Sequence, residues 1–244
     1  MSQESTITVT TREIENLLEQ ARRALALGEY DVALSLSRAV VEVAPSPIIR
    51  RKAAEIYAWA ALGKGQQVEA RQALIWMSDG AVDPLLQAAM LEADGDIERA
   101  VTCLRQARTG GDLRPQVAAS LVRLLLLVDR FGEAALTTIQ ILEHVTVDEA
   151  RQVIGACQAG GRPVPAAELA YALFSKTLNV DDLLSCVKDY VAARQMDAAC
   201  AALSEELGKN VTPKDVAASA VWSELAEEVE LANVLEKARG RVVG

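Results

Sequence analysis

Apolar residues in this chain recur three and four positions apart over stretches of a few helical turns, and short polar breaks separate the stretches. The spacing predicts helices at about 12–27, 30–43, 48–62, 66–78, 84–93, 96–108, 114–128, 132–143, 147–159, 164–176, 181–193 and 196–207. A further stretch from Pro213 to Arg239 supplies one or two more. Alternate breaks are alike. They read Gly-Glu-Tyr-Asp-Val-Ala at 28–33, Gly-Gln-Gln-Val-Glu-Ala at 65–70, Gly-Asp-Ile-Glu-Arg-Ala at 95–100, Asp-Arg-Phe-Gly-Glu-Ala at 129–134, Gly-Arg-Pro-Val-Pro-Ala at 161–166 and Arg-Gln-Met-Asp-Ala-Ala at 194–199. Their closing alanines, Ala33, Ala70, Ala100, Ala134, Ala166 and Ala199, lie 37, 30, 34, 32 and 33 residues apart. A period of that size marks a helical solenoid, in which each hairpin buries its apolar face against its neighbours. The expected fold is therefore all-α.

Helix punctuation follows the same frame. Thr10 with Glu13 and Thr146 with Glu149 have capping-box spacing, in which the first side chain accepts a free backbone N–H and the second reaches back. Ser46-Pro47, Asp83-Pro84 and Thr212-Pro213 each set an N-cap residue before a proline, whose missing N–H costs nothing at the first helical position.

The first unit resembles a tetratricopeptide repeat. Residues 17–45 carry Leu27-Gly28-Glu29-Tyr30 at the corner, Ala33 early in the second helix and Pro45 at the close. Gly28 suits the left-handed turn between helices, Tyr30 fills the wedge, Ala33 lets backbones approach, and Pro45 ends the unit. The other units keep the period with fewer of these residues: Gln67 replaces the aromatic, Asp129 stands at the glycine position, and Pro163 and Pro165 enter the fifth corner. The resemblance implies a right-handed α-solenoid of about six such hairpins over residues 12–210. Residues 1–11 are expected as a flexible tail and residues 211–244 as a cap on the end. In the capping stretch Val221, Trp222, Leu225, Val229, Ala232 and Leu235 make an apolar stripe beside Glu224, Glu227, Glu228 and Glu230, a pattern that suits a sealing helix or a docking helix.

Composition narrows the function classes. The chain has 244 residues, of which 51% are hydrophobic and only 4% aromatic, as helix-on-helix packing requires. The most apolar run, Leu121 to Val128, is interrupted by Arg123 and far shorter than the roughly 20 residues a membrane span needs. It is expected as a buried helix. The net charge is −9, and residues 1–75 hold nine basic and nine acidic side chains, so the acid excess lies beyond them. A nucleic-acid partner is disfavoured because phosphate binding needs a basic field. Cys103, Cys157, Cys186 and Cys200 stand singly, without metal-ligand spacing, and are expected as reduced, buried thiols of a cytoplasmic protein.

No nucleophile motif accompanies the single histidine, His144, which falls at a helix end where an imidazole suits the dipole. Gly155, Gly160 and Gly161 are expected as packing and turn residues. There is no phosphate-cradling glycine loop and no HExxH. The chain is expected to be non-catalytic, with no cofactor and no metal.

In proteins of the family that the first unit resembles, the first helices of successive hairpins line a concave surface that takes peptides or helices. Counting back from each alanine marks Glu15, Leu18 and Arg22, then Lys52, Glu55 and Trp59, then Leu85 and Ala89, then Gln116, Ala119 and Arg123, then Asp148 and Arg151, then Leu184 and Lys188. The basic residues Arg22, Lys52, Arg123, Arg151 and Lys188 suit either a solvated face or an acidic or carboxylate-bearing partner. Trp59 is either an anchor on that face or a core side chain, whereas Trp76 and Trp222 are expected in the core. Two functions fit: an adaptor that binds a partner peptide or helix along the groove, and a structural subunit that assembles with copies of itself or with a larger complex through outer or terminal surfaces.

Overall fold

A computed structural model describes residues 10–77 and 82–242. Among the described residues the chain is all-α, with a single isolated bridge between Leu207 and Val211 and no strand. It divides into two compact units, the first ending at Gly111 and the second beginning at Asp112. Of residues 1–11, expected as a tail, residues 1–9 lie outside the described residues, and Thr10 and Thr11 cap and open the first helix.

The first unit holds α1 (Thr11–Ala26), α2 (Tyr30–Val43), α3 (Pro47–Gly63), α4 (Gln67–Trp76), α5 (Pro84–Ala93) and α6 (Ile97–Thr109). Consecutive helices pair as hairpins, α1 with α2, α3 with α4 and α5 with α6, and the first helices stack in turn, α1 on α3 and α3 on α5. Ile14, Leu18, Ile56, Tyr57, Leu86 and Met90 join in one apolar cluster across those first helices.

The second unit holds α7 (Pro115–Leu127), α8 (Phe131–Gln140), α9 (Val147–Ala159), α10 (Pro163–Thr177), α11 (Val180–Ala192), α12 (Met196–Glu206), α13 (Pro213–Ala218), α14 (Ala220–Leu225) and α15 (Val229–Val242). As the apolar run predicted, α7 buries Leu121, Leu124 and Leu125 while Arg123 stays exposed. Two elements depart from the spacing-based reading. α8 stops at Gln140, and a 3-10 turn at Leu142–His144 takes up the rest of its expected length. The terminal stretch is three helices rather than one or two. Ser219 caps the second, and a break after Leu225 shifts the helical phase, so Leu231 takes the buried position and Val229 is 70% exposed. α15 lies against α12 and α13, and its buried Leu231 and Leu235 face away from solvent.

One corner geometry recurs at all six alanine positions. Five residues before each alanine stands a residue with positive φ: Gly28, Gly65, Gly95, Asp129, Gly161 and Arg194. At Gly28, φ is +74°, a conformation that costs glycine nothing and an L side chain about 1–2 kcal/mol. Its N–H donates to the Leu25 carbonyl and the Glu29 N–H donates to the Ala24 carbonyl, which satisfies two orphan acceptors at the helix end. The same pair of bonds closes every other corner, ending with Arg194 to Val191 and Gln195 to Tyr190. The residue after the left-handed one is already the N-cap of the next helix. Four positions further on, the alanine N–H makes an early intrahelical bond, and all six alanines are fully buried.

Most of the other helix starts use side chains. Thr10, Ser46, Asp83, Thr146, Asn179 and Thr212 each accept a hydrogen bond from the first turn of a hairpin's opening helix or, for Thr212, of α13. Thr10, Thr146 and Thr212 complete capping boxes, the last with Asp215 in the role usually taken by Glu. Backbone bonding therefore fixes the corners, and side-chain caps fix most of the helices that open the hairpins.

Candidate functional site

The residues selected from the sequence fall in both units. On α3, Lys52, Glu55 and Trp59 stand at i, i+3 and i+7 and so share a face. Lys52 is exposed, Glu55 pairs with Arg51 at 3.2 Å, and Trp59 packs on the apolar cluster while staying partly open to solvent. Arg22 on α1 sits 4.0 Å from Glu19, both about half exposed. Leu18, counted into the same face, is a core residue, and so is Leu184 in the second unit. Counting back from an alanine sets the position along the helix and not the angle around it, and these two leucines point inward. Tyr57 and Trp76 meet edge to face with ring centroids 5.0 Å apart, which ties Trp76 into the first core, and Trp222 is buried in the second.

Two of the selected cations in the second unit face acidic groups of that unit. The Arg151 guanidinium donates to both oxygens of Asp182 at 3.0 and 3.1 Å, linking α9 to α11. Lys188 pairs with Glu224 on α14. Asp182 is only 5% exposed and also accepts from the Thr177 hydroxyl at 2.9 Å. Two turns along the same helices Gln158 donates to both oxygens of Asp189, whose carboxyl is raised above its ordinary range by burial. Glu206 completes the set, accepting from Tyr171 at 2.9 Å and Asn210 at 2.7 Å. Sequence reasoning missed these buried carboxylates, because each looks like ordinary helix surface until its partner arrives from another element.

Burial pushes the Cys157 thiol up to about 11 and the Cys186 thiol up to about 12, with the nearby Asp189 charge adding to both. Such thiols stay protonated and unreactive at neutral pH. Gly160 sits under the Phe131 ring and Gly63 under the Tyr30 ring, so a Cβ at either would collide with an aromatic wedge. Gly155, expected as a packing residue, has nothing near its missing side chain.

Arg123 lies on the wall of a half-enclosed hollow of about 310 Å³ inside the second unit. One face of α7 supplies Ala119, Val122, Arg123 and Leu126. Across from it α9 supplies Glu149, Gln152 and Val153, and the end of α8 with the following turn adds Ile141, His144 and Val145. The hollow exists where α8 stops early. Its turn is held by Lys176 of α10, whose ammonium donates to the Leu142 carbonyl at 2.6 Å and the Val145 carbonyl at 3.3 Å. Of the residues selected from the sequence, this is the place where Arg123 meets an apolar cavity. His144, expected only to cap a helix end, closes the 3-10 turn and contributes to the same wall.

Among the described residues, no helix is long and apolar enough to cross a membrane, and no group of three His, Cys, Asp or Glu side chains is placed to hold a metal ion. Compared with known proteins, the chain matches no protein-family model and no curated protein.

Proposed function

We propose that this protein is a non-catalytic interaction module of the cytoplasm, a right-handed α-solenoid of about six tetratricopeptide-like hairpins whose opening helices present a groove to a partner peptide or helix. The observation that carries the reading is Trp59. Ala58 and Ala60 on either side of it are fully buried, yet the large indole stays partly in solvent on a face it shares with Lys52 and Glu55. A large amphipathic ring that packs on the core yet keeps an edge open to solvent beside charged groups is the kind of anchor that interfaces are built on. The six equivalent corners support the repeat architecture, and Arg123 beside its apolar hollow supports recognition of a segment that carries an acidic group.

Capture of the native partner by immobilised protein tests the proposal. Trp59→Ala weakens capture with little dependence on salt, because its contact is apolar. Arg123→Glu weakens it most at low ionic strength, where screening is least. Both leave helical content unchanged. Lys188→Glu is a poor probe, since it also breaks the pair with Glu224. Capture that survives both substitutions and is lost on truncation before Pro213 overturns the groove and makes the terminal helices the interface.

A specific observation favours the second reading, a subunit that self-assembles. Val32 and Val43 on α2 and Val68 and Ile75 on α4 are exposed, between 45% and 74% of each surface reaching solvent. Light scattering separates the two readings: a stable oligomer that dissociates on Val43→Asp supports the subunit, and a monomer removes it.

A further inference from the structure

We infer that Asp189 is an acid-sensing latch between α9 and α11, joining the two helices more firmly when it holds a proton than when it is ionised. Both helices pack on α10, and side chains bridge them in two rungs built to the same register. Arg151 reaches Asp182 and, seven residues further along each helix, Gln158 reaches Asp189, so each carboxylate lies 31 residues from its donor. The rungs differ in the charge of that donor. Asp182 faces a guanidinium and also accepts from the Thr177 hydroxyl, whereas both oxygens of Asp189 accept from one nitrogen, the Gln158 amide, at 3.0 and 2.9 Å. A neutral amide brings no countercharge, and its one NH₂ group serves only two of about four lone-pair sites.

The surrounding helices do not supply the missing charge. Asp189 is 4% exposed, and among the described residues Gln158 is its one side-chain hydrogen-bond partner. Lys188, its neighbour on α11, is the cation that acts on it, but the Lys188 ammonium is turned to Glu224 of α14. Cys157 of α9 gives its S–H to the Phe131 carbonyl at 3.5 Å, and Cys186 of α11 is buried, both thiols staying neutral. Glu168 of α10 acts on Tyr190 rather than on Asp189, and among the described residues no charged group of α12 or α13 bears on it. Burial therefore dominates and raises the Asp189 carboxyl, against the smaller opposing effects of the Gln158 bond and Lys188. A raised carboxyl holds its proton more tightly in the folded protein than in the unfolded chain. Its stabilising contribution is complete below the ordinary aspartate value of about 3.9 and is lost as pH rises through the folded value. Once protonated, Asp189 donates its O–H to the Gln158 amide oxygen, which keeps the rung without a buried charge. α9 and α11 both open hairpins, so the latch acts on helices proposed to line the groove, although it does not depend on that reading.

The test is a carbon-13 NMR titration of the Asp189 carboxyl in the full chain, together with amide hydrogen exchange of α9 and α11 between about pH 4 and about pH 7. Asp189 is expected to titrate above about 3.9. Protection of both helices in the wild type relative to Asp189→Asn is expected to rise on acidification, about tenfold in all for each pH unit by which the titration exceeds that value. Gln158→Arg completes the second rung as Arg151 completes the first, and it lowers the titration of Asp189 and removes the gain. The inference is overturned if Asp189 titrates at or below about 3.9, or if acidification protects α9 and α11 of Asp189→Asn as much as those of the wild type. Where a variant does not fold, the wild-type titration decides alone.

Discussion

In the first unit the stacked helices α1, α3 and α5 meet through apolar side chains, and charge is kept to the rim, where Lys64 pairs with Asp31 and Arg71 with Asp94. In the second unit α9 and α11 meet through Arg151 with Asp182 and Gln158 with Asp189, both carboxylates almost wholly buried. Every buried charged side chain among the described residues belongs to the second unit. The corners are alike in both, so the difference lies in how neighbouring hairpins recognise each other. Apolar packing supplies adhesion that tolerates sliding, whereas a buried carboxylate held by a matched donor is satisfied in one register only.

The sharpest way to break this comparison is to attack what the units share. Ala100→Phe in the first and Ala134→Phe in the second place a ring at a fully buried helix contact, and each is expected to cost about 3 kcal/mol in urea melts. A loss in one unit alone means that the corners are not equivalent.

A smaller effect distinguishes the units. Arg151→Met strands Asp182 with the Thr177 hydroxyl as its remaining partner, at a cost of about 2 kcal/mol after allowing for the 44% exposure of the Arg151 side chain. The matching change at the first unit's rim, Lys64→Met, costs less than about 0.5 kcal/mol, since Asp31 is 84% exposed. Equal losses at the two sites would remove the distinction.

The smallest change has the opposite sign. The first unit's three corners all use glycine, but the second holds Arg194 at φ +59° and Asp129 at +57°. Arg194→Gly is expected to stabilise by about 1 kcal/mol through relief of the left-handed strain. Asp129→Gly gains less, because aspartate tolerates that region better. Chemical denaturation of both variants measures the difference, and destabilisation by Arg194→Gly would mean that its side chain contributes more than its backbone costs.

The sequence carried the repeat frame because its cause is local. A left-handed residue, an N-cap and a buried alanine sit within six positions, and the period between them survives even where Asp129 or Arg194 replaces glycine. Caps such as Ser46 and Thr146 were legible for the same reason. Features that depend on distant partners were not. Asp182 and Asp189 lie 31 residues from Arg151 and Gln158, and nothing in their own neighbourhood marks them as buried. The apolar stripe written through Val229 failed at the break after Leu225, since one irregular turn resets the helical phase. Arg123 was found from its register, but the cavity beside it follows from the early end of α8, which no residue near Arg123 encodes.

The corner's two-residue length has a consequence for how such a chain can change over generations. One residue ends a helix and the very next begins another, so an inserted or deleted residue there would turn the following helix by about 100° and carry its alanine out of the core. The interval from left-handed residue to alanine is five at every corner, whereas the alanines themselves are spaced by anything from 30 to 37. Insertions and deletions are thus expected to be tolerated in the connections between hairpins and in the helix lengths and excluded from the corners, where substitution alone keeps the frame of the repeat even when the residues no longer look alike.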